Sequence, residues 1–533
     1  MGCARYLLGI LWFTAALAGR AQTTAFATAA DLAGWRSECG AWSVQDGALV
    51  QTDAGTTRTA IWFPATAWAD VDLSVEFLIH PAGDGVRAPG IVYRAQDQET
   101  YCYVHFDLKN SQVVWVRSAP GKEWTDARRH RVTGLKAGVW QSARLLAKGG
   151  EHQVFLDGRL LFTEQDDTLK GGVVGLRAGQ GHIGFRNLRV TGTPFALPAS
   201  FEVRVAPYTV VCADAGAGAY EAFPDVCRTR AGELLCVFYA GYGHVSVPTE
   251  RLPNGARIAL CRSADNGRTW SPAETVVDSP IDDRDSSITQ LANGDLLVAY
   301  MSYDPQRKPG THQVFTVRST DNGRTWGPPQ RVPTPFTANE AVSEPVREMP
   351  DGRLLLPVYG CLADQPRPRY VAGLVESTDS GRTWRNLAVI RSARYELCEP
   401  SLVRLPDGRL LMLIRPTMTW CESTDGGRTW TEPVPLPVDG DAPYLLLSSR
   451  NVLLCGFRHR PTRSTCVISS MDFGKTWSEK VTLDRVLGAY PSLVELPDGR
   501  ILVVYYTEGA GSDIRCVLLR VDAAGVQVLE REE

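Results

Sequence analysis

Along almost the whole chain, short apolar runs alternate with clusters of Gly, Pro, Asn and Asp, and helical periodicity is nearly absent beyond the first twenty residues. That rhythm predicts an all-β protein. In a first block, residues 23–196, the runs at 71–79, 91–94, 101–107, 112–116, 153–156 and 184–190 predict the strands of a β-sandwich. Residues 150–160 predict a hairpin turning on Asp157-Gly158, a pair suited to the positive φ angles of a two-residue loop. Residues 191–200, with Pro194 and Pro198, read as a linker, and a second domain spans 201–525.

The second block is repetitive. The pattern Ser-x-Asp-x-Gly-x-Thr-Trp occurs at 263–270, 319–326, 377–384, 423–430 and 470–477. Its Asp can accept backbone N–H groups within a turn, its Gly permits positive φ, and its Trp is a large apolar plug for the neighbouring sheet. Asp265, Asp321, Asp379, Asp425 and Asp472 are therefore expected to be structural. A second repeat sets a Pro or Ser eight residues before a Gly: Pro224 and Gly232, Ser286 and Gly294, Pro400 and Gly408, Pro491 and Gly499. Pro443 and Asn451 form a degenerate copy, and Pro345 and Gly352 one that is a residue shorter. Six copies predict a six-bladed β-propeller, each blade a small antiparallel sheet.

In a propeller the start of each innermost strand faces the central mouth, so the residue before each repeat is the one to inspect. In order these are Phe223, Asp285, Ser343 or Glu344, Glu399, Ala442 and Tyr490. Carboxylates and a Tyr gather where a structural strand would carry apolar residues. Buried carboxylates are costly unless they cap turns, pair with Arg or do chemistry.

The five turn motifs resemble the Asp boxes of the sialidase (neuraminidase) superfamily. Residues 23–196 resemble the concanavalin-like, laminin-G-like jelly rolls often joined to bacterial carbohydrate enzymes. The segment 398–415 looks like the sialidase stretch that carries a catalytic Glu and a carboxylate-binding Arg, which implies Glu399 and Arg415. The segment 488–499 resembles the stretch with the nucleophilic Tyr, which implies Tyr490. Arg463 is similar in placement to another Arg of the family's triad, with Arg458 and Arg460 as neighbouring alternatives, and Glu508 stands where the family often has a Glu that steadies an Arg. A sugar carrying a carboxylate on its anomeric carbon suits Arg partners and a Tyr nucleophile, because a carboxylate nucleophile would be repelled.

The chain also departs from the family. Ala222 stands where the first-blade Arg is expected, and residues 242–257, where the family places its acid/base Asp, contain no Asp. The polar candidates of that loop are His244, Glu250 and Arg251; Arg284, Asp285 and Asp225 are others able to substitute. The resemblance implies an exported, exo-acting glycosidase that removes a terminal acidic sugar, with Tyr490, Glu399 and Asp285 catalytic and Arg415, Arg463, Arg284, Asp225, His244 and Glu344 holding substrate. The alternatives are a uronic-acid polysaccharide lyase, with His244 or Tyr490 as base, and a glycan-binding propeller without catalysis.

Composition narrows the picture further. A chain of 533 residues is too long for one core. The formal net charge of −3 gives no basic field for nucleic acid. Arg5, the apolar run 7–18 and the small residues Ala16, Ala18 and Ala21 predict a signal peptide over residues 1–21 and hence a secreted or periplasmic protein. No later stretch approaches the ~20 apolar residues of a membrane span. The 13 cysteines include no Cys-x-x-Cys pair and no zinc spacing, and most of those in apolar runs read as buried thiols. No nucleotide, redox-cofactor or metal motif occurs, so no cofactor is expected; the expected partner is a glycan or glycoconjugate.

Overall fold

A computed structural model describes residues 20–530, apart from 53–58, 82–86, 120–125, 180–181, 197–200, 202, 204–206, 219, 307–310, 365–368, 487, 509–511 and 523. The expected leader lies outside the described residues but for Arg20 and Ala21, which open the first strand, Arg20–Thr24. No helix among the described residues is long and apolar enough to cross a membrane.

The N-terminal domain is a β-sandwich. Its spine is the 21-residue strand Thr59–Ile79, which pairs with Gly172–Ala178 along its first part and with Trp140–Lys148 and Ile183–Pro194 along its second. Burial alternates strictly from Val71 to Ile79, as a strand with one face on the core requires. Val71, Leu73, Val75 and Phe77 meet Phe106, Trp115 and Phe185 in that core. The predicted hairpin forms, with Glu151–Leu156 paired to Arg159–Gln165 and φ of 49° and 77° at Asp157 and Gly158. The sandwich meets the second domain through Arg485, which lies 3.4 Å from Glu38 and donates to the Gln98 carbonyl at 2.9 Å. The Phe201 ring also packs 5.5 Å from the Trp62 ring, tilted to it by 57°.

The second domain is a propeller of six antiparallel blades. The innermost strands are Tyr220–Arg228, Asp282–Gln290, Ala338–Ala341 with Arg347–Glu348, Cys398–Arg404, Gly440–Leu447 and Gly488–Glu495. The ring closes by adding Thr209–Cys212 to the sixth blade, against Ile514–Asp522. Non-local pairing of the chain's two ends of the domain thus fastens the first blade to the last. Each of the five Asp boxes repeats one bonding scheme. At Asp379, one carboxylate oxygen accepts the Ser377 hydroxyl at 2.7 Å and the backbone N–H groups of Arg382 and Thr383 at 3.0 and 2.8 Å. The other oxygen accepts the Thr383 hydroxyl at 2.6 Å. None of the five boxes lines the mouth of the ring. None of the twelve described cysteines is in a disulfide.

Candidate active site

Every innermost strand carries a bulge near its start, where its register with the next strand shifts. Within each bulge one non-glycine residue has positive φ: Phe223 (52°), Asp285 (48°), Asn339 (52°), Glu399 (50°), Ala442 (52°) and Tyr490 (44°). A left-handed conformation costs such a residue about 1–2 kcal/mol. Six repetitions of that cost around one axis mark a place where side-chain aim matters more than local comfort. Five of the six, all but Ala442, line an open cavity of about 600 Å³ at the mouth. Five of these six positions are those expected from the sequence repeat. In blade three the position is Asn339 rather than Ser343 or Glu344. The innermost strand there is broken into two pieces, so the count back from Gly352 lands beyond the bulge.

At the centre of the cavity the Tyr490 hydroxyl donates to Glu399 Oε1 at 2.7 Å. Arg415 Nη1 bridges the two, donating to Tyr490 Oη at 2.6 Å and to the same Glu399 oxygen. Burial raises the Glu399 carboxyl above its usual range, against the opposing pull of Arg415. Burial, then the neighbouring Glu399, pushes the Tyr490 phenol well up. The phenol is thus held protonated beside a carboxylate placed to receive its proton. Glu399 Oε2 is buried with no hydrogen-bond partner.

The rest of the wall is charged and aromatic. Arg458, on Leu453–His459 of blade five, lines the cavity, lies 3.3 Å from Asp441 and stands over the Tyr490 ring at 5.5 Å. Arg284 is held by Asp285 at 3.0 Å and Asp282 at 3.4 Å, with its guanidinium 5.6 Å from the Phe223 ring centre. Phe223 packs edge-on to Tyr490 and Tyr506 at 5.2 Å and to His244 at 5.4 Å. Burial, then Arg284, lowers the pKa of His244, and the same two causes take His312, also on the wall, down to about 4. Glu508 accepts hydroxyl bonds from Tyr220 at 2.9 Å and Tyr506 at 2.8 Å.

The structure therefore gathers Tyr490, Glu399, Asp285, Arg415, Arg284 and His244 in one cavity and leaves three expected substrate ligands out of it. Arg463 is exposed on the turn after Leu453–His459, with a φ of 49°, while Arg458 within that strand points to the mouth. Asp225 is 2% exposed and accepts the Ser492 hydroxyl at 2.5 Å and the Ile288 N–H at 2.7 Å, so it clips blade one to blades six and two. Glu344 is 3% exposed and lies 3.4 Å from Arg347. Both line a narrower axial cavity beneath the mouth, of about 20 Å³, room for roughly one water. The bulge explains the error for Asp225: it shifts the residues beyond it to a deeper level of the axis. Missed altogether were Asn339 and His312; nothing in their local sequence distinguishes them. Among the described residues no group of three or more His, Cys, Asp or Glu is arranged to hold a metal ion.

Six bulged strands thus aim a Tyr–Glu–Arg cluster into one central mouth. Residues 255–503, just under half of the chain, match the family model described as a BNR repeat-like domain. Residues 23–191 match the 3-keto-alpha-glucoside-1,2-lyase-like domain, a lectin-like sandwich. Among curated relatives, the chain is similar to an anhydrosialidase of Macrobdella decora, 27% identical over 187 residues, covering 29% of this chain and 23% of that protein. It is also similar to a sialidase of Bacteroides fragilis, 24% identical over 247 residues, covering 39% of this chain and 42% of that protein. The chain thus spans less than half the length of the curated relatives it matches. Among solved structures, a Hadza microbial sialidase shares the fold with a TM-score of 0.52 at 16% identity, over 88% of this chain and 97% of that one.

Proposed function

We propose that the chain is an exported, exo-acting glycosidase that removes a terminal acidic sugar from a glycan with retention of anomeric configuration. The observation that carries this reading is the 2.7 Å contact between Tyr490 and Glu399, bridged by Arg415 in an open cavity. The Tyr490 oxygen attacks the anomeric carbon as its proton passes to Glu399 and the glycosidic oxygen departs with a proton from an acid. Water then attacks the same carbon, and Tyr490 leaves, recovering its proton from Glu399. Two displacements restore the original configuration. Arg415 and Arg458, from adjacent blades, supply planar donors for the sugar carboxylate. Asp285, tied to Arg284, serves the hydroxyls on the blade-two side. The distant likeness to two sialidases supports the reaction class.

The test is turnover of aryl glycosides of sialic, ketodeoxynonulosonic and uronic acids, with the first-formed sugar anomer followed by NMR. Release of the aryl group with the substrate's own anomeric configuration is expected. An unsaturated product absorbing in the near ultraviolet would instead make the chain a lyase, and an inverted first anomer would remove Tyr490 as nucleophile.

A further inference from the structure

Resting on the glycosidase reading, we propose that His244 is the acid that protonates the departing oxygen, held in register by a Tyr220–Glu508 relay. His244 and Val245 are the residues of the loop 242–256 that line the mouth, in the same cavity as Tyr490 and Glu399. Glu250 and Arg251 of that loop are exposed and stand outside the cavity lining. Asp285, the other candidate for this role, has its Oδ2 engaged by Arg284 Nε at 3.0 Å.

The hydrogen bonds fix the direction of the relay. Tyr220 Oη lies 2.9 Å from Glu508 Oε1 and 3.3 Å from His244 Nδ1. A hydroxyl has one proton, and the carboxylate, an acceptor only, takes it. The Tyr220 oxygen then accepts from His244, so Nδ1 carries a hydrogen. Nε2 is left as the nitrogen that gives or takes the working proton. The carboxylate acts through the phenol to orient the imidazole and favour its charged form, as an acid behind a catalytic His does elsewhere. Glu508 is itself fixed by the Tyr506 hydroxyl on its other oxygen. Phe223 contacts both parts of the site, its ring T-shaped to His244 and to Tyr490. Imidazole and phenol therefore contact one ring.

The proton balance is complete without a further reactant. As the Tyr490–carbon bond forms and the glycosidic bond breaks, Nε2–H passes its proton to the leaving oxygen. In the second step neutral Nε2 takes a proton from the water whose oxygen bonds to the anomeric carbon. Charged groups around His244 are Arg284 and Asp285 from blade two, Arg458 from blade five and Glu508 from blade six. Burial and Arg284 favour neutral imidazole, so the acid form is confined to the acidic side of histidine's ordinary range, and turnover falls as pH rises through it.

The experiment compares kcat/KM of the full chain and its variants on glycosides of one acidic sugar, with a nitrophenyl leaving group and with an alkyl one. A nitrophenolate departs without help; an alkoxide does not. His244→Asn is expected to lose about 10²-fold or more on the alkyl glycoside, the usual scale of general acid catalysis, and only a few-fold on the nitrophenyl one. Its alkaline limb should also disappear. Tyr220→Phe and Glu508→Gln, as positioning changes, should move that limb to lower pH while the nitrophenyl glycoside is still cleaved. A loss equal for both leaving groups, or an alkaline limb unchanged in His244→Asn, overturns the relay and leaves Tyr490 untouched. No turnover of any glycoside by the wild-type chain overturns the relay together with the reading beneath it.

Discussion

Replacing Glu399 by Gln keeps the shape of the side chain and removes its charge. The amide oxygen still accepts the Tyr490 hydroxyl at a site now 2.7 Å away, so the phenol stays in place. Two effects follow. The Arg415 guanidinium loses its anion. Breaking a fully buried pair costs about 3–5 kcal/mol, and because the Arg415 side chain is 27% exposed the cost here is nearer ~1–2 kcal/mol. The larger effect falls on the reaction. An amide cannot take the phenol proton, and loss of a general base costs about 10²–10⁴ in kcat, or ~3–5.5 kcal/mol in barrier height. The sign of the pH effect is also set. Glu399 works as a base only when ionised, and burial raises its carboxyl. Wild-type kcat/KM therefore falls as pH falls through a value above the ordinary ~4.3 of a glutamate. That acidic limb vanishes in Glu399→Gln. Steady-state kinetics across pH 4–8 on an aryl glycoside, with thermal unfolding as a control, checks both. A Gln variant within a few-fold of wild-type kcat, or one that keeps the acidic limb, would refute Glu399 as the base.

Three further outcomes are expected. Asp379→Ala removes a four-bond turn scaffold remote from the mouth; it should cost about 1–2 kcal/mol, lowering Tm by roughly 2–4 °C per kcal/mol, with kcat unchanged. Arg458→Gln should raise KM for an acidic sugar by tenfold or more, ~1.4 kcal/mol, whereas Arg463→Gln should leave it unchanged; the reverse result would put Arg463 back in the site. Stability should fall from pH 5 to pH 8.5 in calorimetry. Burial raises Asp225 and Asp282 to about 6 and Glu221 to about 8, so their contribution is present below the ordinary ~4 of a carboxyl and lost as pH rises through those values. The Asp boxes act oppositely and only at the acid end: hydrogen bonds hold Asp379 and Asp472 down to about 2, and their contribution is lost as pH falls towards it. A higher Tm at pH 8.5 than at pH 5 would contradict this balance.

The blade count was legible because the Pro- or Ser-to-Gly repeat occurs six times, and the turns were legible because the Ser, Asp and Thr of each of the five boxes meet as the residue types demand. Tyr490 and Glu399 were legible for a related reason. A repeat that marks where innermost strands begin also marks which residues reach the axis. Legibility failed where chain length changed locally. The interruption between Ala338–Ala341 and Arg347–Glu348 moved the blade-three position to Asn339, and an unbroken count pointed to Glu344 instead. It failed again where depth along the axis mattered, since Phe223 lies inside the bulge while Asp225, two residues on, is where regular pairing resumes. The choice between Arg458 and Arg463 turned on whether an Arg lies in a strand or in the turn after it, a boundary that a run of three arginines in six residues does not reveal.

The central claim is that the phenol of Tyr490 becomes covalently bonded to the sugar. Incubation with a fluorinated acidic sugar that forms the glycosyl-enzyme quickly and loses it slowly, followed by intact-mass and peptide mass spectrometry, tests it directly. One sugar residue attached per chain, on the peptide containing Tyr490, and none in Tyr490→Phe, is the predicted result. Attachment to another residue, or normal turnover by Tyr490→Phe, would contradict it.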